Sequence, residues 1–294
     1  MMPVISAVST ITKTVITKTI FSAMVLILLA VPVVTVQGSS YENRPPDIQR
    51  IKDRGKLVVA MFHQDIPPFF MHDDQGRFYG LDVDLARDIA DSLGVEVEFN
   101  REAESFNEIV RIVAAKEADL AISWLSRTLE RAETVRFTRP YIVLHHGLLI
   151  NRLRLSELSN RQNPMQALNH PDARVGVRAG TSYVEYAHAI FPQAQIQEFP
   201  DWEPYIVEAV FRGELVAGYH DEIEIKKYTM QRPEVSIQAS TAIIKDLKDP
   251  IAMAVPWDSH ALLDWLNLYI REHARDWNAD KVLQEYEGSL EVEK

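Results

Sequence analysis

Apolar positions along the chain fall into two alternating periods. "KLVVAMF" (56–62) is a short apolar run rich in β-branched residues, which reads as a buried strand. It ends at "HQDIPPFF", where Pro67-Pro68 cannot continue a ladder. Ahead of it, a short helix from Ile48 ends at Gly55. Gly76 and Gly80 mark a turn, and Asp82 or Asp84 begins a helix with Leu85, Ile89 and Leu93 on one face, stopped by Gly94. "VEVEFN" alternates as a strand. "SFNEIVRIVAAKEA" carries Ile109, Ile112 and Val113 on one helical face, and "DLAIS" is a strand again. Residues 57–123 therefore read β-α-β-α-β, the order of a parallel sheet with helices on its faces.

A second series repeats the element order without repeating the sequence. "RVGVRAG" is a strand running into Gly180-Thr181-Ser182 and the helix "YVEYAHAIF"; "AQIQEF" is a strand, "WEPYIVEAVFRG" a helix and "ELVAGYHD" a strand. "PIAMAVPW" (250–257) reads as one more strand, and "SHALLDWLNLYIREHARDW" as a long amphipathic helix. "HHGLLINR" (145–152) and "TAIIKDLKD" (241–249) read as the two connections between the series.

Composition narrows the class. The 294 residues are 47% hydrophobic and 25% charged, ordinary for a globular protein. The net charge of −11 argues against sequence-independent nucleic-acid binding, which needs cationic surface for phosphates. With no cysteine, disulfides, thiolate nucleophiles and thiolate-bound zinc are excluded. Lys13 and Lys18 precede the apolar run 20–36, and small polar residues follow at Gly38-Ser39. That pattern predicts a signal peptide over 1–38, cut near Ser39, with a retained anchor as the alternative. Either places the body of the chain outside the cytoplasm, and export without cysteine suits the periplasm.

Six motifs then occur in a telling order: "GKLVVAMFHQDIPPFF", "GRFYGLDVDLARDIADSLG", "FNEIVRIVAAKEADLAIS", "SRTLERAETVRFTRPY", "VGVRAGTSYVEYA" and "ELVAGYHD". Together, from about residue 50 to 288, they resemble bacterial extracellular solute-binding proteins of the polar amino-acid family, the periplasmic components of ABC importers. The resemblance implies a bilobal α/β fold, two lobes joined by two crossover segments around a ligand cleft. Lobe 1 would take 39–147 and 246–294, lobe 2 148–245. It implies a monomer that binds an amino acid or small carboxylate, needs no cofactor or metal, and meets an ABC permease in the inner membrane.

Candidate site residues follow from strand ends and from that pattern. In open α/β sheets ligands sit beyond the carboxyl ends of strands. "DLAIS" ends at Ser123, which puts Trp124, Ser126 and Arg131 beyond that end. A carboxylate calls for a bidentate arginine with backbone N–H groups and hydroxyls. By position in the family pattern Arg131 is the carboxylate clamp, Ser126 the helping hydroxyl and Asp221 the acid for an α-ammonium; Arg178 and Phe106 match cleft-lining positions. The helix entered at Thr181-Ser182 offers free N–H groups to the same carboxylate. Trp124 stands where the family has a small residue, and its indole is expected to fill the side-chain pocket or stack on the ligand. Arg127, Arg136 and Arg139 are expected at the surface. His145-His146 is expected to be structural or solvated, and Trp202, Trp257, Trp265 and Trp277 to pack. His220-Asp221 lacks an accompanying nucleophile. An enzyme of this fold, dehydratase-like, would need a proton donor, for which Glu222 or Glu224 stand nearest Asp221. A ligand sensor is the third alternative.

Overall fold

The computed structural model describes residues 44–158, 163–231, 239–273 and 275–286; the leader expected over 1–38 lies outside them. Helix α1 (Pro46–Arg54) starts two residues before the expected Ile48, because Pro46 suits a first helical turn, and ends on left-handed Gly55. Strand β1 (Lys56–Phe62) is buried from Leu57 onward, as a central strand covered on both faces must be. A small hairpin, β2 (Met71–His72) and β3 (Phe78–Tyr79), leads to α2 (Leu81–Leu93). That helix begins at Gly80 rather than at an aspartate. Gly80 has φ +128, and a Cβ there would lie 2.5 Å from the Phe69 carbonyl oxygen. Its buried stripe includes Val83, Ala86, Ile89 and Leu93, with Leu85 only half-buried.

Strand β4 (Glu96–Ala103) pairs with β1 in parallel. Helix α3 (Phe106–Ala114) is capped by Ser105, whose hydroxyl accepts the Glu108 N–H, and it buries Ile109, Ile112 and Val113 as expected. Then follow β5 (Leu120–Ala121), the single turn α4 (Leu129–Ala132) and β6 (Arg136–Phe137).

Next comes a long strand, β7 (Ile142–Asn151), and two short helices, α5 (Arg152–Leu158) and α6 (Pro164–Leu168). Strand β8 (Arg174–Arg178) feeds α7 (Ser182–Ile190), and β9 (Gln195–Phe199) follows. The helix expected from Trp202 is interrupted: Glu203 is extended (φ −105, ψ 139), so regular helix is reached in α8 (Val207–Phe211). Strand β10 (Ala217–Asp221) runs into α9 (Glu222–Gln231). The expected strand 250–257 is split. Its first two residues end the long β11 (Ala239–Ile251), and β12 (Ala254–Val255) is separate. Helix α10 (His260–His273) is shorter than its apolar pattern, and Asn278 caps α11 (Ala279–Glu285).

Two five-stranded sheets result, one per lobe. Lobe 1 has the order β4-β1-β5-β12-β6, parallel at β4, β1 and β5. Lobe 2 has the order β11-β7-β10-β8-β9, parallel at β10, β8 and β9. The two connections are β7 and β11 themselves, an antiparallel pair in register from Ile142↔Ile251 to Asn151↔Ala239, with an irregularity between Ile244 and Lys248. The lobe boundaries expected at 147/148 and 245/246 thus fall inside these strands. One apolar core fills lobe 1. In lobe 2 the sheet separates two, because alternate residues of β7 point to opposite faces: Leu148 and Ile150 to one, Leu149 to the other. Gly218 lets the second core close on β10, since a Cβ there would meet Ile206 at 2.7 Å. Trp202 is buried, and Trp265 and Trp277 pack against the lobe 1 core; Trp257, expected to pack, is 57% exposed.

Candidate functional site

Residues beyond the carboxyl end of β5 in lobe 1 and at the carboxyl ends of β8 and β10 in lobe 2 line one cavity, whose empty space is about 310 Å³. Lobe 1 contributes Phe106, Trp124, Ser126 and Arg131; lobe 2 contributes Arg178, Thr181, Ser182, Tyr183, His220 and Asp221; Asp249 enters from β11. Eight of the nine expected side chains therefore line one cavity. Ser123 does not: it is buried, and its hydroxyl accepts the Phe62 N–H of β1.

Arg131 is held from three sides. Thr128 caps α4 by accepting the Arg131 N–H. The guanidinium donates through Nη1 to the Ser126 carbonyl (3.0 Å) and through Nε and Nη2 to Asn107 Oδ1 (3.3 and 3.2 Å). Burial lowers its pKa and Asp249 pulls it back up; a guanidinium stays charged there in any case. The remaining N–H donors are available to an anion. Arg131, Thr181 and Ser182 also border a second, larger recess of about 650 Å³.

On the opposite wall, Asp221 ends β10 with its side chain fully buried. Oδ1 accepts the N–H groups of Ile223 and Glu224 (2.7 and 3.1 Å) and so caps α9. Oδ2 has no hydrogen-bond partner among the described residues, although His220 Nδ1 stands 3.3 Å away. That nitrogen accepts the Asp221 N–H, so it presents a lone pair rather than a proton to Oδ2. No side chain caps α7: the Thr181 hydroxyl turns back to the Arg178 carbonyl, which leaves the helix's first N–H groups and its positive end open beside Ser182. Arg178 reaches across the cleft, its guanidinium over the Phe62 ring at 5.1 Å and Nη2 donating to Gln64 Oε1 at 3.5 Å.

Asp249 is the group that sequence reasoning missed. It is buried and clasps both lobes: Ser126 donates to Oδ2 (3.0 Å), Tyr183 to Oδ2 (3.2 Å) and Tyr186 to Oδ1 (3.3 Å), while the Ser182 hydroxyl donates to Ser126 Oγ (2.8 Å). Burial pushes its carboxyl up to about 6, the nearby Asp221 adds to this, and the Ser126 and Tyr183 hydroxyls and Arg131 oppose it. His220 and Tyr183 were missed too. Their rings stack on one another at 5.0 Å. Glu222 and Glu224, the expected proton donors, do not line the cavity; they pair with His145 and Lys226, and with Lys227. His146 is structural, as expected, bonded to the Tyr219 hydroxyl and lowered to about 4 chiefly by burial.

The cavity thus offers the Arg131 cation from lobe 1, the open N–H groups of α7 and the Asp221 carboxylate from lobe 2, with aromatic rings between. That is the donor set for a small zwitterion.

Comparison with known proteins agrees with this architecture. The chain is 28% identical to the membrane-bound lytic murein transglycosylase F of Alcanivorax borkumensis, over 84% of this chain and 51% of that protein. It is 27% identical to the cyclohexadienyl dehydratase of Pseudomonas aeruginosa, over 67% of this chain and 71% of that one. The chain spans about half the length of the transglycosylases it matches. Among solved structures, the amino acid ABC transporter substrate-binding protein AbpA of Streptococcus pneumoniae, bound to L-arginine, superposes with a TM-score of 0.66 at 26% identity, covering 84% of this chain and all of that one. The family model for bacterial extracellular solute-binding proteins, family 3, matches residues 58–289, and with that span and this two-lobed fold the chain belongs to that family.

Proposed function

We propose that the protein is a periplasmic solute-binding protein that closes its two lobes on an amino acid or a related small carboxylate and delivers it to an ABC permease. The reading rests on one observation above all: a buried, held arginine and a buried carboxylate with an open oxygen line the same interlobe cavity. Arg131 would take the ligand's carboxylate, with Ser126 and the open start of α7. Asp221 Oδ2 would take its ammonium. No cofactor is invoked, the protein acts as a monomer, and the leader sends it to the periplasm. The test is a thermal-shift screen of the chain from Ser39 against the common amino acids and small carboxylates. A ligand selective for the folded state, present at a hundred times its Kd, adds about 2.7 kcal/mol of stability. Unchanged melting across the whole panel would sink the reading.

A second reading, a dehydratase-like enzyme, draws on Asp249. A cavity-lining carboxyl raised to about 6 could donate a proton to a leaving group. It predicts turnover of a bound ligand that Asp249→Asn abolishes while binding persists. Recovery of every bound ligand unchanged rules it out.

A further inference from the structure

The Trp124 indole lines the interlobe cavity beside Ser126, Arg131 and Asp221. It is buried, stacked on Phe69 (5.1 Å, 20°) from its own lobe and on His220 (5.4 Å, 19°) from the other, with the Phe106 edge at 6.1 Å. His220 cannot easily retreat, because Tyr183 stacks on its side and the Trp202 ring stands edge-on to it at 5.1 Å. The four rings Phe69, Trp124, His220 and Tyr183 therefore form one stack that crosses the cleft.

The backbone under the indole is not a relaxed one. A φ of +48 is costly for a bulky side chain and persists only where the surroundings impose it. What imposes it is Asp82, fully buried in α2. One carboxylate oxygen accepts the Trp124 N–H and the other the Tyr141 hydroxyl at 2.8 Å. The cavity that remains is small: its empty space, with the open mouth included, is about 310 Å³. Two buried groups of that cavity's lining residues lack partners among the described residues: Trp124 Nε1, a donor, and Asp221 Oδ2, an acceptor. A buried donor without an acceptor is uncommon enough to require an explanation, and a ligand oxygen supplies one.

We infer that Trp124 sets an upper limit on ligand size, and that the ligand is a small α-amino acid, with a side chain of about the size of a hydrogen or a methyl group. The carboxylate sits among Arg131, the start of α7 and the indole N–H; the ammonium sits on Asp221; the aromatic stack blocks a longer side chain on its own side of the cavity. This rests on the amino-acid reading above and narrows it.

The experiment is calorimetry with glycine, L-alanine, L-lysine and L-arginine on the chain from Ser39, on Trp124→Gly, which suits the left-handed backbone, and on Trp124→Phe, which keeps a ring in the stack. The parent should bind glycine or L-alanine at least tenfold more tightly than L-lysine or L-arginine. Trp124→Gly should narrow that ratio at least tenfold, and Trp124→Phe should fall between. If Trp124→Gly does not fold, the parent and Trp124→Phe still decide. A parent that binds L-arginine or L-lysine as tightly as glycine overturns the size limit and leaves the amino-acid reading standing. So does a ratio that neither substitution moves. A parent and variants that bind none of the four overturn the size limit, while the amino-acid reading falls only if the full thermal-shift panel fails as well.

Discussion

On the lobe 1 wall of the cleft Arg131 is a cation already held; on the lobe 2 wall Asp221 is a carboxylate with one oxygen open. Arg131 is fixed by bonds to Asn107, to the Ser126 carbonyl and, through its backbone, to Thr128. Its burial is offset by these bonds and by the charge of Asp249 on β11, so it is held before any ligand arrives. Asp221 has half its acceptor capacity committed to the start of α9, and the other half faces an electron lone pair on His220. Burying a carboxylate oxygen with no donor is costly. The difference teaches that the lobe 1 wall is pre-organised and the lobe 2 wall is incomplete. On the function proposed above, a ligand ammonium at Asp221 would supply the donor that this wall lacks.

The largest effect should come from removing the held cation. Truncating one partner of a desolvated charge pair costs about 2–5 kcal/mol, and about 1.4 kcal/mol is tenfold in affinity. Arg131→Ala should weaken binding of an identified ligand by roughly 30-fold or more in calorimetry, with little change in melting of the ligand-free protein beyond the loss of its few bonds. Parent-like affinity would break the comparison at its stronger side.

Asp221→Asn comes next. The amide oxygen can still cap α9, so the fold keeps its contacts, while the charge for an ammonium is gone. Affinity for an amino acid should fall by about tenfold or more, within the range of a lost charged hydrogen bond. If Arg131→Ala matters and Asp221→Asn does not, the ligand is a carboxylate without the α-ammonium.

Asp249 sharpens the comparison because it belongs to neither wall. Its native carboxyl stands at about 6 against an ordinary 3.8, so between those values the folded protein holds a proton that the unfolded chain has released. Stability contributed by this group is present at low pH and is lost as pH rises through that window, by about 3 kcal/mol at most. Asp249→Asn removes the slope. In paired urea titrations the variant should gain on the parent between pH 4 and pH 7. Parallel curves for the two proteins would mean that Asp249 is not held protonated by its burial.

How far the sequence reached follows from which signals are local. Arg131 is legible because Thr128 stands at capping distance before it and the surrounding pattern resembles a known family. The strand-helix order of both lobes is legible because apolar periodicity is local. Asp249 is not: in "IIKDLKDP" it reads as another solvated charge of a link, and its burial depends on β11 returning to lobe 1, where Ile251 bridges to Ser126. Its one signal is its place immediately before the apolar run Ile251–Val255. Ser123 and Ser126 look equivalent at a strand end, but Ser123 turns to the Phe62 N–H of β1 while Ser126 reaches Asp249 in the cavity, partners that only the folded chain brings near. Likewise, that the indole lies on His220 depends on two lobes meeting, which no local pattern encodes.

The smallest effects should come from the other arginines of the same segment, and they test whether the held-cation wall ends at Arg131. Arg127 is exposed, its guanidinium making a long bond of 3.4 Å to the Thr138 carbonyl. Arg136 is half-buried beside Phe137, not turned fully outward, but its guanidinium meets His260 on α10, away from the cavity-lining residues. Arg139 is exposed and is fixed through its backbone N–H to Asn267. Exposed charges are screened over about 8 Å at physiological salt, and surface pairs contribute roughly 0–1 kcal/mol. Arg127→Ala, Arg136→Ala and Arg139→Ala should each change affinity by less than about twofold to threefold in calorimetry at that salt. Lowering the salt should raise the effect of Arg127→Ala first, because it stands nearest in sequence to the Thr128 cap that positions Arg131. A tenfold loss from any of the three at physiological salt would extend the cationic wall beyond the one arginine that the cavity encloses.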